Sequence, residues 1–343
     1  MNKKLTAGIM PIILVFVLAV VAIGAYFLLA PKIKQFSKPT KVYKVGVLSG
    51  LSFVADITDG FKERMAELGY KEGVDISYDV QKTDFDMAQY KKILRGFVDN
   101  QVDLILVFPT EASQEAKSAT NGTDIPVVFT NVFTEDTGLV NSIREPGGNI
   151  TGVRWGGPDL ALQRFEVMRE IVPNAKRMLI AYQKGYPIVK SQLEALRPAA
   201  SKVGVTLVEI PAANAAELKA ELNKQAKSIN KSTDAILIIA EPLGVTPDAF
   251  VVLSKFAVDH GIPVGGAYMS LQGYESVFGL TPRGAPQGRQ AAALADKIFR
   301  GTAAGTIPVV TAENYFQLNY KAAQKLGIKL SEGLLGRANE VLR

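Results

Sequence analysis

DLILVFPTE at residues 103–111, followed by IPVVFT at 125–130, is echoed in the second half by DAILIIAEP at 234–242, followed by IPVGGA at 262–267. The runs at 103–108 and 234–240 are apolar without alternation. That pattern marks strands covered on both faces, as in a parallel sheet. The same wording at two places in one chain predicts two similar units.

The flanking sequence repeats the order as well. In the first half, KVGVLSG (44–50) and VDISYDV (74–80) read as strands. Between them Ile57, Phe61, Met65 and Leu68 lie on one face of a helix that Gly69 stops. Tyr90, Ile93, Leu94, Phe97 and Val98 form a second helical stripe, and a short helix is expected near Glu111 to Ala119. In the second half, RMLIAY (177–182) and VTLVEI (205–210) are strands. Helices are expected over 189–203, before Gly204, and over 215–229, and Phe250, Leu253, Ala257 and Val258 stripe another. Strands alternating with helices, joined by right-handed crossovers, give parallel sheets with helices on both faces. The expected fold class is therefore α/β, with two doubly wound parallel-sheet lobes, and 343 residues suit two domains.

Ahead of the first lobe, Leu5 to Ala30 carry no charge and follow Lys3 and Lys4. A helix needs about 20 apolar residues to cross a bilayer core of roughly 30 Å. Residues 1–30 are read as a membrane anchor or signal segment, with Ala22-Ile23-Gly24 as a weak cleavage site. Residues 31–41 are read as a tether. Lys32, Lys34, Lys38, Lys41 and Lys44 outnumber Lys3 and Lys4, but long domains translocate largely regardless of flanking charge. The body is placed outside the membrane, where a chain without cysteine risks no stray disulfide.

The net charge of +6 does not imply a nucleic-acid partner. Residues 1–40 take five of the 39 basic residues and none of the 33 acidic ones, so the remainder is balanced at 34 against 33. The excess is juxtamembrane, where it meets anionic head groups. Catalytic equipment is sparse. There is no thiol, and the single histidine, His260, sits before Gly261 at an expected helix C-terminus. The first strand-to-helix loop lacks the Gly-x-Gly-x-x-Gly spacing, and no phosphate loop or Gly-x-Ser-x-Gly elbow occurs. The pairs Asp56/Asp59 and Asp84/Asp86 read as turns or helix starts. No metal and no cofactor is implied.

In doubly wound sheets, ligands bind beyond the carboxyl ends of the strands, where strand order reverses. Two lobes let those edges face each other across a cleft. The loops that would line it hold Ser49, Ser52, Thr110, Glu111, Asn131, Tyr182, Tyr186, Glu241 and Tyr268. Hydroxyls ahead of helices also serve as N-caps, and free helix amides attract a carboxylate. Trp155, the only tryptophan, stands in the Gly-rich stretch VRWGGPD. It is either a packing residue at a hinge or a cleft wall that stacks on a flat ligand. Together the hydroxyls, Glu241 and the aromatic rings describe a zwitterion with a planar or apolar side chain, an aromatic or related amino acid.

These motifs resemble the solute-binding proteins of ABC transporters, type I periplasmic-binding fold, in the family with tryptophan- and tyrosine-binding members. The segments that carry the likeness are KVGVL at Lys44, ELGYKEG at Glu67 and DLILVFPTEAS. They continue with IPVVFTNVFTEDTGLV, EPGGNITGV, KRMLIAY, ADKIFRGTAAGTIPV at Ala295 and the terminal SEGLLGRANEVLR. The resemblance implies an interlobe cleft that closes on a small-molecule solute and delivers it to an ABC permease in the membrane, with a monomer expected. It also implies three crossings between lobes, near Gly152, Leu280 and Val310. Lobe one is then 42–152 plus about 281–309, and lobe two is 153–280 plus about 310–343. The loops YQKGYP and AEPLG depart from the family's usual Asn with Ser and Asp-Asn, leaving Glu241 to stand in for the acidic partner of an amino group. A membrane-anchored sensor signalling through a partner is the alternative role. An enzyme on this scaffold would need a second titrating group beside Glu241, and a repressor would need a helix-turn-helix.

Overall fold

The continuous apolar runs must be covered on both sides, and the computed structural model, which describes residues 41–343, shows what covers them. The expected anchor, and the tether apart from Lys41, lie outside the described residues. Among the described residues, no helix is long and apolar enough to cross a membrane. The first half runs β1 (Tyr43–Ser49), α1 (Asp56–Glu67), β2 (Ile76–Lys82), α2 (Met87–Asp99), β3 (Leu104–Phe108), α3 (Thr110–Ala119), β4 (Val127–Val132) and β5 (Ile150–Arg154). Then follow α4 (Gly157–Ile171), β6 (Arg177–Gln183), α5 (Val189–Lys202), β7 (Thr206–Ala212), α6 (Ala215–Gln225), β8 (Asp234–Leu237), α7 (Pro247–His260) and β9 (Val264–Gly266). The hairpin β10 (Ser270–Leu271) and β11 (Tyr274–Glu275) leads to β12 (Phe278–Pro282), α8 (Gly284–Phe299) and β13 (Val310–Thr311). The chain ends with β14 (Asn314–Asn319), α9 (Tyr320–Lys325), α10 (Glu332–Arg337) and β15 (Glu340–Leu342).

Two sheets result. The first has the order β13-β5-β4-β3-β1-β2 with every pairing parallel. The second has the order β15-β14-β12-β9-β8-β6-β7, parallel except where β14 pairs antiparallel with β12. Within each sheet the first five strands in chain order are arranged 2-1-3-4-5. Strand order therefore reverses between β1 and β3, and again between β6 and β8. In the first sheet, Val45, Val47, Leu104 and Leu106 pack with Phe61, Met65, Ala291 and Ala295. Leu48, Ile105 and Val107 pack on the other face with Tyr90, Leu94, Phe97 and Ala112. The period of two divides each unbroken apolar run between two cores.

The strand expected over 234–240 ends at Leu237; Ile238 N still donates to Gly265 O of β9 at 2.8 Å, but side chains take the remaining sheet-like bonds beyond it. Arg164 Nη1 donates to the Ile238 carbonyl at 3.2 Å. The buried amide of Gln192 accepts from Ala240 N at 2.9 Å and donates to Ala240 O at 2.8 Å, as a neighbouring strand would. The chain passes between the sheets three times, across Trp155–Gly156, across Arg283 and across Ala312–Glu313. The second passage delivers α8 onto α1 at contact distance. A Cβ on Gly288 would lie 2.0 Å from the Ile57 carbonyl oxygen, and one on Gly60 would lie 2.1 Å from that of Ala285.

Gly288→Ala should lower stability by about 1–3 kcal/mol through overpacking. Gly96→Ala, in an interior turn of α2 with nothing within 4 Å of the added carbon, should instead raise it by about 0.5–1 kcal/mol. Denaturant unfolding of the two variants gives the signs, and a stabilised Gly288→Ala would show that the helices can part.

Candidate functional site

Helix starts at the carboxyl edges of the sheets divide into two kinds. Those that follow the edge strands are capped by their own side chains. Asp86 Oδ1 accepts from Ala88 N and Gln89 N ahead of α2, and Asn214 Oδ1 accepts from Glu217 N ahead of α6. Those that follow the strands at the order reversals have no side-chain cap. Their N-cap positions are Ala55 for α1, Pro109 for α3, Ile188 for α5 and Thr246 for α7; α4 after β5 and α8 after β12, away from the reversals, also lack such a cap, at Gly156 and Arg283. Uncapped first-turn amides are donors with a partial positive charge, suited to an anionic group. Both sheets leave such amides at their reversal points.

The first sheet brings Ser49, Thr110, Asn131 and Trp155 to the ends of four neighbouring strands. Ser49 is buried at the end of β1. Thr110 opens α3, and its Oγ1 accepts from Phe133 N at 3.2 Å, so it joins two strand ends rather than capping a helix. Asn131 has φ 53°, the left-handed region, which Asn tolerates better than most residues and which tends to mark functional positions. Trp155 packs edge-on against Phe133, ring centroids 5.5 Å apart, and touches the cores of both sheets. Ser52 stands apart, exposed in a 3-10 turn, with its amide donating to Asp84 Oδ1 at 3.0 Å. Glu111 lies in the first turn of α3, and its carboxylate makes no ion pair or hydrogen bond among the described residues.

In the second sheet, Glu241 is buried, at 6 % exposure. Its carboxylate accepts from Gln183 N at 2.9 Å, Leu243 N at 2.8 Å and Gly244 N at 2.6 Å. Burial pushes its pKa up, while those amides and the Arg164 guanidinium pull the other way. Glu241 thus fixes the loop after β8 to the end of β6. Tyr182 turns toward β7, where its hydroxyl donates to Glu209 Oε2 at 3.2 Å. Tyr268 is half-buried near Glu275 of the hairpin, and burial raises its pKa. The aromatic residue set between the acidic groups is Tyr186. Burial pushes its hydroxyl up to about 12, with added repulsion from Glu111 of the first sheet and Glu241 of the second.

Two residues at the site carried no expectation. Arg164 is 1 % exposed on α4 and ties β12 to the segment just past β8. Nε donates to Leu280 O at 2.9 Å, Nη1 to Ile238 O, and Nη2 to Thr281 Oγ1 at 3.1 Å. Burial pulls its pKa well down, and Glu241 is the charge that opposes the shift. Its signal was present in the sequence, because it interrupts the apolar stripe Leu160, Ala161, Phe165, Met168. Gln287 is the other, and nothing around it in GAPQG marks it. A surface depression of about 830 Å³ at the amino edge of the first sheet, bordered by Lys117, Asn121, Asn149 and Thr302, holds none of these residues. His260 ends α7, its Nδ1 2.8 Å from Phe256 O. Asp56 Oδ2 accepts from Ala285 N at 3.0 Å, a helix-start role.

Over residues 44–342 the chain matches the family model described as ABC transporter substrate binding protein. The chain belongs to that family. Among curated relatives, the tyrosine-binding protein of Clostridioides difficile (strain R20291) is 29% identical over 259 residues, 74% of this chain and 71% of the relative. A conserved domain protein from Vibrio cholerae O1 biovar El Tor superposes with TM-score 0.71 at 28% identity, covering 88% of this chain and 100% of that one. A ligand-free, open substrate-binding protein with adhesive properties from Clostridium difficile gives TM-score 0.73 at 23% identity, covering 88% and 99%. An ABC domain from Streptococcus pneumonia in complex with L-Trp gives 0.70 at 24%, covering 88% and 100%. The parallel-sheet architecture of this substrate-binding protein is that of periplasmic-binding-protein-like neighbours.

The raised pKa of Glu241 makes a prediction about stability. Between its ordinary value and its folded value, the folded chain keeps a proton that the unfolded chain has released. Stability therefore falls as pH rises through that window. The difference in unfolding free energy between the parent and Glu241→Gln, measured by denaturant from about pH 4 to about pH 7, should move against the parent as pH rises. A difference that does not change with pH would contradict the burial of this charge.

Proposed function

We propose that this substrate-binding protein is the extracytoplasmic receptor of an ABC importer, closing two lobes on an aromatic amino acid and presenting it to a membrane permease. The observation that carries the reading is the presence of uncapped helix starts at both order reversals, in a chain of this family. Amides of α1 and α3 suit the solute's carboxylate. Glu111, whose own carboxylate is uncommitted, suits its ammonium group, while Glu241 adds negative charge from behind its three amides. Tyr186, Trp155 and Phe133 supply apolar ring faces. The curated relative named as tyrosine-binding agrees with such a solute.

The lobes are taken as 42–152 with about 281–309, and 153–280 with about 310–343. Gly156 and Gly157 at the first crossing are suited to absorb the dihedral change of a hinge. The solute is released unchanged, and the body works as a monomer on the outer face of the membrane, held there by the N-terminal segment or freed by its cleavage.

Calorimetry against L-tyrosine, L-tryptophan, a neutral sugar and inorganic phosphate is the direct test. Aromatic amino acids should bind, and binding of the sugar alone would reject the assignment. Glu111→Gln should weaken L-tyrosine at least about tenfold, as expected when a charged partner is lost from a desolvated site, without lowering the unfolding midpoint. Solution scattering should give a smaller radius of gyration with L-tyrosine than without, and an unchanged radius under saturating ligand would remove lobe closure.

A further inference from the structure

The side chain of Gln287 is 1 % exposed in the first turn of α8, just past the second crossing. Its Oε1 accepts from the Trp155 indole Nε1 at 3.0 Å, from Asn131 N at 3.1 Å and from the Thr130 hydroxyl at 3.4 Å. Its Nε2 donates to the Arg283 carbonyl at 3.1 Å. Chemistry fixes the orientation of this amide. An indole and a backbone amide only donate, so they require the oxygen end, and a carbonyl only accepts, so it requires the nitrogen end.

Three of the four partners have a place in the hinge or the wall. Trp155 begins the first crossing, Arg283 is the second, and Asn131 holds its left-handed conformation at the end of β4. One buried amide thus links two of the three passages between lobes to two of the side chains read as lining the cleft. Three donors share an oxygen with two lone pairs. One donor can therefore move away while the acceptor stays occupied, so the amide can hold its partners as the crossing dihedrals change.

We propose that Gln287 is a positioning residue that sets the Trp155–Asn131 wall of the cleft and couples solute contact there to the hinge. The proposal rests on the receptor reading and names the residue through which binding reaches the crossings.

Trp155 is the only tryptophan of the chain, so its emission, excited where tyrosine is silent, reports this one site. The experiment uses the full chain purified in detergent, with L-tyrosine as probe. Gln287→Leu keeps the volume and removes both ends of the amide. With unchanged far-ultraviolet circular dichroism, its ligand-free Trp155 emission should shift, because the indole has lost its acceptor. Its affinity for L-tyrosine should fall at least about tenfold, the scale of leaving buried donors unpaired. Gln287→Glu keeps the accepting oxygens and loses the bond to Arg283. It should leave the ligand-free emission close to the parent's yet reduce the compaction seen by scattering on adding L-tyrosine.

Unshifted emission in Gln287→Leu would overturn the hold on Trp155. Shifted emission with undiminished L-tyrosine affinity would overturn the coupling. Should Gln287→Leu not fold, full compaction in Gln287→Glu would overturn the coupling by itself. Should L-tyrosine fail to bind the parent, the amino-acid reading fails, while the ligand-free emission still decides whether Gln287 holds the wall.

Discussion

The contact between α1 and α8 at Gly60 and Gly288 constrains the rest of the molecule. Helices normally meet through side chains at 8–10 Å between axes. Here each glycine faces a carbonyl of the other helix with no room for a methyl group. Such a contact buries α8 against the first sheet, although α8 follows β12 of the second. The chain must therefore leave the second sheet at Arg283 and return to it after β13. Together with the passage at Trp155, three separate strands of chain connect the sheets. A single connection would leave the sheets free to turn about it, whereas three constrain their relative placement.

The charges beneath the second sheet follow a related logic. Arg164 is surrounded by neutral acceptors, and the opposing charge it senses is Glu241, whose own oxygens are occupied by three backbone amides. Neither group is spent on a direct ion pair with the other. Each ties backbone ends together while lowering the electrostatic cost of burying its counterpart. The loops at the carboxyl edge of the second sheet are thereby fixed from below.

Period and apolarity made the sheets legible in the sequence, because each run of residues such as 103–108 had to be covered on both faces whatever lay elsewhere. The ends of strands were less legible. Ile238 and Ala240 continue the apolar run past the end of the strand, where Arg164 and Gln192, distant in sequence, bond the Ile238 carbonyl and the Ala240 backbone in place of a neighbouring strand. The site divides in the same way. Ser49, Thr110 and Asn131 could be placed from their positions after strands, because topology alone brings those ends together. The direction of Tyr182 could not, since it depends on Glu209 one strand away. Gln287 could not be found at all, because the donors to its oxygen lie more than 130 residues earlier.

The capping pattern bears on why the site lies where it does. A side-chain cap contributes about 1 kcal/mol to a helix, and Asp, Asn and Ser are common enough to supply one almost anywhere. The chain places them ahead of α2, α6, α9 and α10. It omits them ahead of α1, α3, α5 and α7, the helices after the strands at the two order reversals, and also ahead of α4 and α8. A cap at these positions would occupy amides that a bound carboxylate needs and would set a side-chain oxygen, often charged, in its place. Leaving those helix starts uncapped forgoes that stabilisation and keeps their amides free to meet water or an anion. An anion bound there would stabilise helix starts left incomplete in the free protein, which would tie affinity and order at this edge to the same set of unsatisfied donors.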